Sequence, residues 1–600
     1  MKKNSLAALL SVLLMGVGTR PAIAQWQTQS LLIKPGWTAV YLFVDASYTN
    51  LNALVGSDPN NPIEEVWLWQ PTVSSVQFIN NPLAPVTGSS QWANWERLNT
   101  GLTGTLSTLA PNSAYLVHST ATTNYTWKVT GQPVAPSYAW SATAINLVGF
   151  PTVTNQPPAL DTFLAPAAVL SAATIYDYVG GNLSSFNPSL VFAPHAVQVL
   201  RGQAFWINET NAVNNYFGPF QVTVSGSATA FGAGAGSATL RLINTTPSAV
   251  TVNLTLQPSE APPAPNLAAI VGTPPIVVRG ALNSSTLAYA VSNLSATIPQ
   301  SWTLAPQGQA GSDIAVILGV NRTAMTGAPG ALFAGILRFT DSSGYTEVDL
   351  PTSAQVGSYG GLWVGNAQVS QVSNYLKTYA TNTDGTTAQY TNGPNAGAYI
   401  VTSLNTNLGA TSASFPLRLI IHNDGVNVNL LQHVFYGSDV NSNTIVSTGQ
   451  SALDPAQLGT ARRISSVQFP WTPNNQPWLF SGQLAPGGAL TRTVTVQYDD
   501  QASNPFLHTY HPDHDNLDST FQVEQPIGVE SYQIDRLITM QITPPGQDFN
   551  SLVQFGQTFS GAYAETITLT GIGYATRTFN VAGSFTLNRL SSISTLTQAP

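Results

Sequence analysis

Residues 506–521 read FLHTYHPDHDNLDSTF and gather an unusual density of titratable side chains in one place. His508, His511 and His514, drawn from only 7 histidines, stand there among Asp513, Asp515 and Asp518 in a protein with 8% charged residues. Imidazoles and carboxylates are ligands for zinc, and carboxylates are ligands for calcium. Geometry limits what they can do together. Pro512 removes a backbone donor and disfavours helical geometry at His511, so a shared helical face is ruled out. On a strand, His508 and His514 would face one way and His511 the other. Convergence of His508, His511, Asp513, His514 and Asp515 on one ion therefore requires an irregular loop.

The string His511-x-Asp513-His514 is similar to part of the HxHxDH signature of metallo-β-lactamase-like hydrolases. Thr509 stands where its first histidine belongs, and the flanks lack alternating strands and helices. A calcium-loop pattern fails because Leu517 takes the third alternate position and no glycine follows. Two readings stay open. In one, Asp515, Asn516 and Asp518 bond backbone donors around a turn, and the histidines pack on Tyr510 and Phe506 as an Ω-loop. In the other, the same segment orders itself around a structural zinc or calcium ion.

Other chemistry is sparse. Cysteine count is 0, which excludes thiol catalysis and thiolate metal sites. No nucleophile elbow, phosphate loop or dinucleotide fingerprint occurs. The stretch FGAGAGSA, with Gly232, Gly234 and Gly236, lacks a following helix pattern and reads as a flexible linker. Glu64-Glu65 and Asp499-Asp500 are adjacent carboxylates that point apart on strands, unlike the facing pair a glycosidase needs. Of 13 tryptophans, Trp67 and Trp69 share one face of a strand and suit a core. Trp92 and Trp95 fall in an inserted loop; they too are expected to fill the core or the space between repeats, and the alternative has them form an exposed platform for a sugar ring or a partner.

The start of the chain sets its compartment. Lys2 and Lys3, an apolar run from Leu6 to Val17, and Ala22-Ile23-Ala24 have the layout of a secretory signal peptide cleaved near Ala24. The run is shorter than the roughly 20 residues that span a bilayer, and no later stretch replaces it. The chain is therefore expected to be secreted or at the cell surface, with no integral membrane segment. With 19 basic and 27 acidic residues and no basic patch, nucleic acid is not an expected partner.

Short alternating runs punctuated by Gly, Pro, Asn and Asp predict an all-β protein. Phe220–Val224, Thr493–Val496 and Thr566–Leu569 alternate cleanly. Leu417–His422 and Val426–Leu430 flank Asp424-Gly425 and predict a hairpin. A series of segments also recurs. GWTAVYLFVDAS, VWLWQP, APNSAYLVHS and TWKVTGQPV are followed in order by INLVGFPTV, IYDYVGG, LRGQAFWINE and FGPFQVTVSG. Such repetition predicts two sequential domains of one fold.

Asn146-Leu147-Val148-Gly149-Phe150-Pro151 and Arg201-Gly202-Gln203-Ala204-Phe205-Trp206 resemble a β module repeated in exported surface proteins of environmental bacteria. GLWVG from Gly361 and the HPDHDN segment are similar to the ends of other large exported proteins. The resemblance implies an exported, multidomain β-rich surface protein and brings no catalytic residue with it.

The predicted organisation is a signal peptide (1–24), repeat copies at 25–136 and 137–228, an immunoglobulin-like sandwich (229–352) and a C-terminal β domain (353–600). The His/Asp-rich loop 499–520 lies in the last of these. Ser237–Asn244 and Val250–Leu256 read as paired strands of the sandwich. Four tandem antiparallel sandwich or barrel-like domains should leave no reaction centre. The expected function is non-catalytic binding or extracellular structure, including adhesion, with polysaccharide or other surface proteins as partners. The alternative is a metal-dependent hydrolase using the His/Asp loop.

Overall fold

The computed structural model describes residues 25–70, 81–97, 104–141, 145–209, 214–225, 229–373, 376–405, 407–466, 477–500, 503–507, 517–527, 529–554, 556–571 and 576–598. The expected signal peptide lies outside them. The fold is all-β, as the alternation predicts, in two compact units. The first comprises the chain to Gly357 together with Gln547–Val553; the second comprises Ser358–Gly546 and Gln554–Pro600.

The first unit begins with β1 (Gln27–Ile33), β2 (Gly36–Leu42), β3 (Val44–Asp45), β4 (Ile63–Trp69), β5 (Trp92–Glu96), β6 (Ser113–Ser119) and β7 (Tyr125–Pro133). There follow β8 (Ile145–Val148), β9 (Thr174–Asp177), β10 (Ser189–Leu190) and β11 (Phe205–Asn208). They make three sheets, ordered β1-β7-β3, β2-β6-β4-β5 and β10-β9-β11-β8. The period-2 alternation of strands sorts side chains between two cores. Tyr41, Trp67, Trp69, Trp92 and Leu116 pack with Leu147, Trp206 and Ile207 of the third sheet. Val40, Leu42, Val66, Trp95 and Val117 pack instead with Leu31, Ile33, Trp127 and Val129 of the first. Burial on both faces explains why β2 reads as a continuous apolar run. It also places the two segments expected as separate repeat domains in one compact unit, because their sheets share a core.

The rest of this unit is a sandwich of β12 (Phe220–Val224), β13 (Thr229–Ala230), β14 (Ser237–Asn244), β15 (Val250–Pro258), β16 (Ile270–Gly272) and β17 (Ile276–Asn283). It is completed by β18 (Ala288–Asn293), β19 (Gln300–Leu304), β20 (Asp313–Val320), β21 (Leu332–Asp341) and β22 (Glu347–Gln355). Sheet β12-β14-β20-β17-β18 packs on sheet β13-β22-β21-β15-β19 through Leu240, Leu242, Val252, Leu254, Leu318, Phe339 and Leu350. Two sequence readings change here. β12, read as the close of the second repeat, pairs with β14 of the sandwich. β14 and β15, read as a pair, lie in opposite sheets; the Asn244 amide donates to Ser248 O and Ala305 O where the chain crosses over. An apolar stripe on each strand is satisfied equally well by facing or by pairing, so alternation alone does not choose.

The glycine-rich stretch is not a free linker. Phe231 is buried, and the guanidinium of Arg322, itself 4% exposed, donates to Phe231 O, Gly232 O, Ala235 O and Gln355 O. Gly236 abuts Val553 O, leaving no space for a Cβ. Val553 and Phe549 pack on Val277 and Ile317 of the sandwich.

The second unit holds β23 (Gly361–Ser373), β24 (Leu376–Tyr379), β25 (Val401–Asn405), β26 (Leu408–Asn423), β27 (Val428–Leu430), β28 (His433–Ser438) and β29 (Thr444–Ser447). It continues with β30 (Arg462–Ser465), β31 (Trp478–Gly482), β32 (Ala489–Val496), β33 (Gln533–Ile542), β34 (Thr558–Thr570), β35 (Arg577–Ser591) and β36 (Leu596–Thr597). Eight of these close a barrel, β23-β26-β27-β31-β32-β33-β34-β35. Trp363, Ile421, Leu490, Ile538, Met540, Tyr563 and Phe585 fill it, as the interior of a barrel this size requires. Arg536 and Glu565 pair among them, and Tyr563 Oη donates to Glu565 Oε2. The predicted hairpin forms: β26 pairs with β27, and Asp424 Oδ1 accepts from Val426 N and Asn427 N. β24 and β25 form a separate exposed two-stranded arm.

Replacing Arg322 by Met keeps the apolar stem but removes the guanidinium from four carbonyls; Phe231 O and Gly232 O keep backbone donors, from Ala235 N and Gln355 N, while Ala235 O and Gln355 O lose theirs. At about 1–3 kcal/mol for a buried group left unsatisfied, less where water reaches it, the loss should be about 1–3 kcal/mol. Denaturant unfolding of Arg322→Met against wild type should show a markedly lower midpoint for the first unit; an unchanged midpoint would refute this account of the glycine-rich loop.

Candidate functional site

His508, His511, Asp513, His514 and Asp515 lie outside the described residues. Their described neighbour Asp518 is a turn-former, its Oδ1 accepting from Thr520 N, Gln522 N and Val523 N. Among the described residues no group of three or more His, Asp or Glu is placed to hold a metal ion.

Trp92 and Trp95 do not form an exposed platform. They lie on β5, paired with β4, and are 4% and 5% exposed. Three positions apart, they enter opposite cores. Trp92 sits 5.0 Å from Trp69, which sits 5.0 Å from Trp206; Trp95 Nε1 donates to Asn52 Oδ1. The segment that resembled an inserted loop contains the edge strand of a doubly covered sheet. Glu64 and Glu65 stay apart as expected, Glu64 beside Arg97 and Glu65 accepting from Trp67 Nε1.

The first unit contains a cleft of about 570 Å³, within the roughly 300–1,000 Å³ of small-ligand sites. Four consecutive β1 residues line one side, Gln27, Thr28, Gln29 and Ser30, with Phe43 and Pro133 beyond them. Thr154 and Asn155 border it, and Gln257, Arg338, Glu347 and Asp349 come from the sandwich. Arg201 reaches it from the turn before β11. Gly202 makes that turn possible: its φ is +82°, and a Cβ there would meet Leu31 Cδ2 at 2.5 Å.

Charge concentrates in this cleft. On β22 the alternation sends Val348 and Leu350 into the sandwich core and Glu347 and Asp349 to the other face. Arg338 on β21 sits directly across from Asp349. Its Nε donates to Asp349 Oδ1 at 2.9 Å and its Nη2 to Oδ2 at 3.2 Å, the two-pronged geometry that suits arginine and carboxylate. Asp349 also accepts from Gln27 Nε2 at 2.6 Å and from Arg201 Nη2 at 3.4 Å. Arg201 Nη1 donates to Thr152 O and Glu347 O, and its guanidinium stacks over Phe43 at 5.1 Å. Glu347 meets the arginines through Oε1, 3.3 Å from Arg338 and 3.9 Å from Arg201. At the mouth, the Glu260 carboxylate accepts from Thr28 N and Thr28 Oγ1.

The two neighbouring carboxyls are driven apart. Burial, then the charge of Asp349, pushes Glu347 up to about 7. Burial also raises Asp349, but Arg201 and Arg338 outweigh it and hold that carboxyl below its ordinary range. At neutral pH one carboxylate is firmly ionised and the other near its midpoint, both on the same strand face and both beside arginine.

None of these residues stood out as a site in the sequence. A usable signal exists: the turn Asp341-Ser342-Ser343-Gly344 sets Thr340 opposite Glu347, and counting back puts Arg338 opposite Asp349. Arg201 and Gln27 carry no such signal, because their approach depends on how the sheets stack.

Two measurements check this description. Trp92→Ala and Trp95→Ala should each cost about 3–5 kcal/mol, as buried tryptophan truncations do, seen in denaturant unfolding; an unaffected midpoint would return the rings to the surface. For Glu347 the folded pKa lies above the unfolded one. The folded state then holds a proton that the unfolded state releases between about pH 4.5 and 7, so this group's contribution weakens as pH rises through that window. Glu347→Gln should remove that slope. The stability of wild type relative to the variant should fall between pH 5 and pH 8, and a pH-independent difference would contradict it.

No family model matches the chain, and no curated protein matches it. Among solved structures it is similar to the crystal structure of the Pseudomonas aeruginosa CupB2 chaperone, with 9% identity over 37% of this chain and 97% of that one. The TM-score is 0.14, a likeness that carries no argument about function.

Proposed function

We propose that this chain is an exported, non-catalytic surface protein that works by binding, with the cleft of its first unit as the ligand site. The observation that carries this reading is how the cleft holds its charge. Glu347 and Asp349 are neighbours on one strand face, tied to Arg201 and Arg338, rather than facing each other across a gap that a substrate bond could enter. The N-terminal sequence layout supports export. No helix among the described residues is long and apolar enough to cross a membrane.

The same reading takes the sheets β2-β6-β4-β5 and β8-β11-β9-β10 as two copies of one module. Both have the order first-fourth-second-third along the chain. Asn112 and Gly202, each with positive φ, occupy matching turns before the fourth strand. On this reading the cleft belongs to the second copy, whose Arg201 turn reaches Glu347 and Asp349 on a sandwich strand.

Thr154→Trp should fill the cleft without touching either core. Beads coated with the wild-type mature chain should retain cell-surface polymer from a mixed extract, and beads coated with Thr154→Trp should not. Equal retention would remove the cleft from the reading. Metal analysis checks the non-catalytic half: hydrolytic turnover that requires stoichiometric zinc, and that is lost in His511→Ala, would replace it with the hydrolase alternative.

A further inference from the structure

Resting on the binding reading above, we infer that the cleft takes a neutral oligosaccharide, with Arg338 and Glu347 addressing neighbouring hydroxyls. The electrostatics select against ions. Arg201 and Arg338 offset Glu347 and Asp349, and Glu260 adds a further carboxylate at the mouth. A ligand carboxylate or phosphate meets three protein carboxyls, and a ligand ammonium meets two guanidinium groups. Like charges brought together in a partly dehydrated cleft repel strongly. A hydroxyl escapes both penalties because it donates and accepts.

The hydrogen-bonding atoms match that demand. Arg338 is 30% exposed at its side chain, and its Nη1 has no hydrogen-bond partner among the described residues. Glu347 engages the arginines through Oε1. Arg338 Nη2 and Glu347 Oε1 stand 3.3 Å apart, so a guanidinium and a carboxyl line the cleft side by side on a network whose members hold one another in place. Thr154 and Asn155 add neutral donors and acceptors nearby, while Pro133, Pro136 and Ile336 offer apolar surface to the C–H face of a ring. Orientation by a few fixed polar groups over an apolar wall is the general form of a small-ligand site.

Affinity electrophoresis of the full mature chain tests this with soluble neutral polymers (dextran, galactomannan, xyloglucan), acidic polygalacturonate and cationic chitosan. At least one neutral polymer should retard the wild type. Asn155→Ala and Thr154→Trp should weaken that retardation at least tenfold, with unfolding midpoints unchanged. Retardation by a neutral polymer that both variants preserve would overturn the inference while leaving a binding protein whose site is elsewhere. Preference for polygalacturonate or chitosan would overturn the neutral class and keep the cleft. If no polymer retards the chain but the coated beads still capture material that Thr154→Trp loses, the saccharide class is wrong and the binding reading survives. Failure of both experiments sinks the two together.

Discussion

The first unit depends on one sheet having no wet face. β2, β6, β4 and β5 present Tyr41, Trp67 and Trp92 to one core and Val40, Val66 and Trp95 to another. Each core needs a cover, and the covers are the β1-β7-β3 sheet and the sheet of the second module. Removing either would expose a full layer of large apolar side chains, a cost far above the few kcal/mol by which domains are stable. The two segments expected as separate repeat domains therefore share a core within one compact unit. Their stacking also decides where Arg201 ends.

Charge is used in a related way. A chain with 8% charged residues could have left them all in water, yet several are buried and engaged. Arg322 holds four carbonyls of the glycine-rich loop and its neighbour, and in the barrel Arg536 pairs with Glu565. Asp349, 2% exposed, is gripped by two arginines and an amide. Such clusters add little net stability compared with apolar packing, but breaking one leaves an unpaired charge in a poor solvent. They fix how loops and strand faces sit. In the cleft, the same fixing holds Arg338 and Glu347 side by side.

The strands were legible because their signal is local. Phe220–Val224, Thr493–Val496 and Thr566–Leu569 alternate, and each is a strand. Asp424-Gly425 supplies its own turn chemistry, and the hairpin is there. Illegible parts involve a choice among partners. β12 could close a repeat or open a sandwich; its residues satisfy either. Trp92 and Trp95 lie beyond a stretch with little strand signal, and Trp95 faces a second core that nothing local announces. The cleft was half legible, since Arg338 and Asp349 follow from turn register while Arg201 and Gln27 do not.

By itself the sequence determined an all-β chain with cysteine-free cores and very little charge. These follow from composition and from periodicity along a few residues, where the backbone's own geometry dictates the pattern. Only the tertiary structure decided that two modules share a core, that the glycine-rich stretch wraps a buried guanidinium, and that Arg201, Arg338, Glu347 and Asp349 meet. Those outcomes depend on which apolar face covers which other. Apolar burial has no direction of its own, and chain connectivity and shape must choose among partners that the residues leave equivalent.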